Sequence, residues 1–245
     1  MKGRGLIRTI IMTVLAASSL LFGAEEAPKT LPLKTHTELS YMSTSGNTET
    51  SSFAFDFKGE KQWGTDSVRA KAFAYLSEES GVESKNQWGL EVNYDRALLP
   101  RLAFNYMAAY KEDKFSGFDY QFNTGPGLVY KAIKTQNHLL TLQANILYAV
   151  DKRETGEKDT YASGKGGVLY EWRILENLKL TEEASLRTQL NDMGNYFADS
   201  KTAVVNKINS MLSMGVSYKI DYVHRPVVGK TSTDKTLLVS LIIDY

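Results

Sequence analysis

The sequence predicts an all-β fold: a transmembrane antiparallel up-and-down β-barrel of about 12 strands that follows a cleaved signal peptide. Three observations predict it. Apolar and polar residues alternate with a period of two from Leu33 to the end, broken by turn residues roughly every ten to fifteen positions. The connections between these runs alternate between short and long, as in outer-membrane barrels with short periplasmic turns and longer external loops. Aromatic residues gather near the ends of the apolar face, while the opposite face is crowded with charge.

The chain opens on Lys2, Arg4 and Arg8, an uncharged run from Thr9 to Phe22, and Gly23-Ala24 before Glu25. This is the layout of a secretory signal peptide, assigned to residues 1–24, and its apolar run is shorter than the roughly 20 residues of a spanning helix. Residues 25–32 are expected to form a short periplasmic segment and 33–245 the barrel, placed in a Gram-negative outer membrane. The 245 residues contain no cysteine, which excludes thiolate metal sites and cysteine nucleophiles. A net charge of +1, from 29 basic and 28 acidic residues, argues against a nucleic-acid partner. Only His36, His138 and His224 are available for metal chemistry, so neither a metal site nor a cofactor is expected.

Strands are expected at 34–43, 51–63, 67–76, 86–94, 102–110, 118–132, 140–150, 160–173, 178–190, 197–207, 212–222 and 235–245. In the fifth, Leu102, Phe104, Tyr106, Ala108 and Tyr110 share one face; in the seventh, Leu140, Leu142, Ala144, Ile146, Tyr148 and Val150 do so. The sixth sets Phe118, Tyr120, Phe122, Leu128 and Tyr130 against Asp119, Gln121, Asn123 and Lys131. The eleventh aligns Leu212, Met214, Val216, Tyr218, Ile220 and Tyr222. The last strand places Leu237, Val239, Leu241, Ile243 and Tyr245 on one wholly apolar face and ends on the aromatic. That ending resembles the mark by which barrels are handed to their assembly machinery, so Tyr245 is the candidate assembly signal.

Short connections are expected at 64–66, 98–100, 134–137, 175–177 and 208–210, with longer ones at 77–85, 112–117, 151–159, 191–196 and 223–235. The face opposite the apolar one would line the lumen. Its candidate residues are Arg69, Lys71, Glu91, Asp119, Lys131, Lys165, Glu171, Arg173, Arg187, Lys219, Asp221 and Asp244, part of an inward set with 12 basic and 10 acidic members. Near-equal numbers predict salt bridges between neighbouring strands, for example Lys219 with Asp244, and weak ion selectivity. A soluble lipocalin-like barrel would reverse the faces, but about twelve strands of Leu, Phe and Tyr would then enclose an implausibly large dry core.

Three local features stand apart from this pattern. Gly125-Pro126-Gly127, and likewise Gly164 to Gly167, predict bends within strands, since proline removes a ladder donor and glycine permits a bulge. Glu182 has lipid-facing parity, which points to a bulge at Glu182-Glu183 or a contact between protomers. A lipid hydrolase would need Ser and His together near the outer rim; His36 and His138 are expected near the periplasmic end, and no serine is expected beside His224.

Gly46-Asn47-Thr48-Glu49-Thr50, the run Tyr110 to Phe115, Phe118-Asp119-Tyr120-Gln121, Gly125-Pro126-Gly127-Leu128-Val129-Tyr130, Ser217-Tyr218 with Asp221-Tyr222, and Thr236-Leu237 with Asp244-Tyr245 together resemble a family of outer-membrane proteins of unknown function. These are the YdiY-like or DUF481 proteins, often labelled salt-induced outer-membrane proteins. The resemblance runs from about residue 35 to the end; it implies an outer-membrane barrel and carries no established activity or catalytic residues. Two functions follow as expectations: a narrow, weakly selective pore for small solutes or ions, or a structural envelope barrel whose paired lumen charges close it. Outer-membrane lipids, lipopolysaccharide and the barrel assembly machinery are the expected partners.

Overall fold

The computed structural model describes residues 31–45 and 49–245. The signal peptide, most of the 25–32 segment and Gly46-Asn47-Thr48 of the family motif lie outside the described residues. Twelve strands follow one another: β1 (Lys34–Thr44), β2 (Thr50–Trp63), β3 (Asp66–Glu79), β4 (Val82–Leu99), β5 (Leu102–Asp113), β6 (Phe118–Lys134), β7 (His138–Arg153), β8 (Lys158–Arg173), β9 (Leu178–Gln189), β10 (Asp192–Lys207), β11 (Leu212–Val223) and β12 (Thr233–Asp244). Each pairs antiparallel with the next and β12 pairs with β1, so the sheet closes as a barrel. The rim that carries Lys34 and Tyr245 is here the terminal rim and the opposite one the far rim.

The alternation read from the sequence sets the two faces. Leu237, Val239, Leu241, Ile243 and Tyr245 are exposed on the outside, as are Met214, Val216 and Tyr218, and Leu142, Ile146 and Tyr148. Between them Ser240, Ser217, Ser213 and Asn145 are buried in the interior. Aromatic side chains stack on the outside near both ends. Trp88, Tyr110 and Tyr120 form a run with centroid separations of 5.4 and 5.7 Å toward the far rim, and His138 lies 6.1 Å from Tyr170 and 6.0 Å from Trp172 at the terminal rim.

The expected long connections are mostly shorter than predicted, because the strands run on beyond the apolar belt and keep pairing. The link between β3 and β4 is only Ser80-Gly81, both at positive φ, and that between β9 and β10 is Leu190-Asn191. Charge and glycine in 77–85 and 191–196 signalled loops, yet a projecting hairpin satisfies its own backbone hydrogen bonds while its side chains stay in water. Among the described residues only 224–232, between β11 and β12, remains a long excursion. Register shifts at Ser77/Glu78, Lys111/Asp113, Phe118/Tyr120 and Asp192/Tyr196 cluster at the far rim. The Phe118/Tyr120 shift reverses one expectation: Phe118 turns inward and is buried, while Asp119 is displaced outward to an ion pair with Lys152 at 3.0 Å.

Two of the expected bends differ as well. At Gly125-Pro126 the β6–β7 register pauses between Thr124↔Tyr148 and Gly127↔Asn145 without slipping, so the ladder is interrupted and not bulged. Here the backbones approach so closely that a Cβ on Gly125 would lie 2.1 Å from the Ile146 carbonyl oxygen, and one on Gly127 2.2 Å from that of Ala144. β8, by contrast, pairs without interruption through Gly164 to Gly167 on both sides. Glu182 also sits in an unbroken stretch, with no bulge at Glu182-Glu183. Its carboxylate accepts the Thr202 hydroxyl, and its ladder neighbours on β8 and β10 are Tyr170 and Thr202. The Tyr170 level is that of the terminal aromatic belt, where the cost of a charge on the outer face falls to about 1 kcal/mol or less.

Candidate functional site: the barrel interior

The side chains that meet inside the barrel are set by register, and register brings like charges together on neighbouring strands. Lys58 is opposite Lys71, Lys201 opposite Lys219, Lys165 opposite Arg187, and Asp199, Asp221 and Asp234 form a row over β10, β11 and β12. Opposite charges also stand in register, Lys71 with Glu91 and Lys201 with Glu183, and Arg69 pairs with Asp95 on the neighbouring strand at 2.7 Å, but the pairs that cross the middle come from across the interior. Glu183 of β9 takes both Lys58 of β2 and Lys71 of β3, the latter at 2.9 Å. Lys165 of β8 reaches Glu91 of β4 at 3.1 Å, and Lys201 of β10 reaches Glu38 of β1 at 3.0 Å and Asp56 of β2 at 3.6 Å. Lys111 of β5 lies 3.9 Å from Asp221 on β11, six strands away around the barrel. The middle of the interior is therefore crossed by a layer of ion pairs.

Buried amides complete that layer. Asn105 donates to Asn93 and Asp95 at 3.2 and 2.8 Å, Asn145 to Asn105 at 2.7 Å, and Gln143 to Asn145 at 2.8 Å, linking β4, β5 and β7. Asn93, Asn105 and Asn145 each donate and accept, while Gln143 only donates, which suits a buried network where an unmatched group is costly. Met107 and Leu147 fill the same side.

On the far-rim side of the ionic layer the interior widens to a cavity of about 370 Å³, lined by eight basic and seven acidic residues. Phe73, Tyr75, Phe118 and Phe197 add aromatic surface to it. Near its mouth Arg187 donates to the Tyr161 hydroxyl at 2.6 Å and pairs with Asp151 at 3.4 Å. The same guanidinium lies 4.2 Å from the Phe197 ring centroid, with Phe118 edge-on to Phe197 at 5.9 Å.

Seven of the twelve lumen candidates line this cavity: Arg69, Lys71, Glu91, Lys165, Arg187, Lys219 and Asp221. The other five lie elsewhere. Asp119 is outside, for the reason given above. Lys131 and Arg173 are exposed at the terminal rim, where their backbone N–H groups donate to Arg101 and Asn137 at 2.8 Å each. Glu171 is 3.9 Å from Lys179, and Asp244 is hydrogen-bonded to His36 at 2.6 Å. Lys219 pairs with Asp221 at 2.9 Å, two residues along its own strand, and not with Asp244, which sits near the other end of the barrel. Asp199, Lys201, the amide network and the inward apolar residues were not anticipated. Phe197, Asp199, Lys201, Ala203 and Val205 do alternate in sequence, but with charge and apolar side chains mixed on one face, which blurs the pattern.

The histidines bond to carboxylates or phenols. His36 bonds to Glu38 and Asp244, His138 to the Tyr170 hydroxyl at 2.9 Å, and His224 to the Tyr222 hydroxyl at 3.1 Å. Among the described residues no histidine is hydrogen-bonded to a serine, and no cluster of His, Asp and Glu suited to a metal ion is present.

The sequence model of a family described as "Protein of unknown function, DUF481" matches residues 37–245. No curated protein matches the chain. Among solved structures, the COG4313 outer membrane channel from Pseudomonas putida F1 superposes with a TM-score of 0.52 at 7% identity, covering 92% of this chain and 98% of that one. The NanC porin gives 0.48 at 13% identity, covering 87% and 98%. At such identities the first likeness speaks for the fold alone.

Proposed function

From the premise that this chain belongs to the DUF481 family, we propose that it is a Gram-negative outer-membrane channel, with the terminal rim periplasmic and the far rim external, whose interior passes only ions and small polar solutes. The observation that carries this reading is the ionic layer, in which Glu183 holds Lys58 and Lys71 from the facing wall while Lys165 and Lys201 reach Glu91 and Glu38. Paired charges narrow a passage and leave little net field along it, so small conductance with slight preference between cations and anions follows. Lys71 and Glu183 keep a quarter or more of their surface open, so solvent reaches part of the layer. Recording from purified protein in a planar bilayer tests this; a current typical of a wide general porin, or strong selectivity, contradicts it.

A second reading rests on the same layer: a barrel closed by its own side chains and contributing to envelope integrity. Absence of current under all salt and voltage conditions selects it. No catalytic role is assigned; among the described residues none of the three histidines is hydrogen-bonded to a serine. Outer-membrane lipid and lipopolysaccharide are the proposed surroundings of the outer face. Tyr245 is the proposed mark for the assembly machinery; it stands exposed at the terminal rim with its backbone N–H and C=O bonded to Thr35.

A further inference from the structure

The seam between β1 and β12 is closed over only part of its length. Its register runs from His36↔Asp244 to Leu39↔Leu241, extended by the Thr35–Tyr245 backbone bonds, and it stops there. Ser40 and Ser240 still touch through their hydroxyls at 2.7 Å, which marks the upper limit of closure. Above that point β1 continues to Thr44 on its ladder with β2, and β12 continues up to Thr233 on its ladder with β11, but among the described residues they no longer pair with each other. Elsewhere a ladder stops only where one of its two strands ends, as β8–β9 does at Ser163↔Gln189; β7 and β8 pair from His138↔Trp172 to Lys152↔Lys158. Side-chain exposure records the same gap at an inward position: Met42, which has the inward parity of Glu38 and Ser40, is 60% exposed, with no β12 partner beside it.

Unpaired backbone groups beside hydrocarbon are costly, and sheet edges in membrane proteins are therefore normally closed. This opening leads to apolar surface. Directly inside it Leu238 of β12 packs with Ala54, Tyr75 and Phe73 of β2 and β3, an apolar cluster in an interior rich in charge. Two ammonium groups overlie that cluster: Lys219, 4.7 Å from the Tyr75 ring centroid and 5.3 Å from that of Phe73, and Lys85, 5.7 Å from Tyr75. Lys219 is matched by Asp221. Lys85 donates to the Thr236 hydroxyl at 2.8 Å and has no carboxylate within 4.0 Å among the described residues.

We propose that the upper β1–β12 seam is a lateral portal through which a long-chain carboxylate moves between the outer leaflet and the barrel interior. Its alkyl chain packs on Leu238, Ala54, Phe73 and Tyr75, and its headgroup is met by Lys85. Apolar area alone would accept any alkyl chain; the cation without an anion above it gives preference to an anionic head. This goes beyond the channel reading, which concerns passage along the barrel axis, and the two fail separately.

The test uses the full protein in phosphatidylcholine vesicles and a hexadecanoate carrying a photoreactive diazirine near the end of its chain. Irradiation is expected to label Leu238 or Tyr75, and unlabelled hexadecanoate is expected to compete while hexadecylamine does not. Lys85→Gln is expected to lower interior labelling about tenfold, as loss of a charge-assisted contact does. Because the chain has no cysteine, Ser43→Cys with Leu237→Cys can be bridged after folding by a short bifunctional reagent; bridging is expected to abolish interior labelling in the same sample that showed it before. Labelling confined to the outer belt, equal competition by hexadecylamine, or interior labelling indifferent to the bridge would each overturn the proposal, whatever the conductance measurement gives.

Discussion

The interior is bounded by two closures that differ in kind. Across the middle it is crossed by side chains, as where Glu183 holds Lys58 and Lys71; along β1 and β12 it is closed by backbone bonds from Thr35–Tyr245 to Leu39–Leu241. A backbone closure in a membrane barrel is a condition of folding, since unpaired groups there cost several kcal/mol each. A side-chain closure is a condition of passage only, because the wall stands without it. The difference teaches that substitutions at the seam and in the ionic layer act on different quantities, the first on whether the barrel exists and the second on what it lets through.

The largest effect is expected at the end of the backbone closure. Removing Tyr245 deletes both of its bonds to Thr35 and the exposed terminal ring, and most of the barrel yield in the membrane fraction is expected to be lost. Heat-modifiable mobility on SDS gels measures this; a yield equal to that of the unaltered chain would mean that the paired half of the seam does not need its last residue. Next comes the wall far from the seam. Gly127→Ala puts a methyl against the Ala144 carbonyl oxygen, and a stability loss of about 3 kcal/mol or more is expected in urea titration. A loss no larger than that of Gly166→Ala, where a Cβ would meet nothing within 4 Å, would show the β6–β7 approach to be loose.

In the ionic layer the effect moves from folding to transport. Glu183→Gln leaves Lys58 and Lys71 facing each other without their counter-charge, so the current is expected to rise and the reversal potential to shift toward anions, with barrel yield kept. Unchanged selectivity would place the limiting charges elsewhere. The smallest effect is expected at Glu182, which belongs to neither closure. Glu182→Gln keeps a group able to accept the Thr202 hydroxyl and sits at the level of Tyr170, so stability is expected to change by about 1 kcal/mol or less. A larger change would bring back a protein contact at this point of the outer face.

What the sequence determined by itself was whatever depends on parity. With a side-chain period of two, Leu237 to Tyr245 or Met214 to Tyr222 can present only one face to lipid, so the twelve strands, their directions and their outer faces were legible before any pairing was known. Tertiary structure decided what depends on register and on strand length. Whether Lys58 lies beside an acid or beside Lys71 changes with a slip of two residues that leaves every face intact, so parity predicted charged neighbours; the fold realised some of these bridges, as Arg69 with Asp95, but placed Lys58 beside Lys71 and drew their partner from the facing wall. A one-residue bulge sent Asp119 out and Phe118 in, and hairpins took up the residues of expected loops because a paired backbone is indifferent to the polarity of its side chains in water. The partial closure of β1 on β12 was the least legible of all, since it depends on the first and last strands, whose paired residues are more than two hundred positions apart, and on the shape set by the ten strands between them.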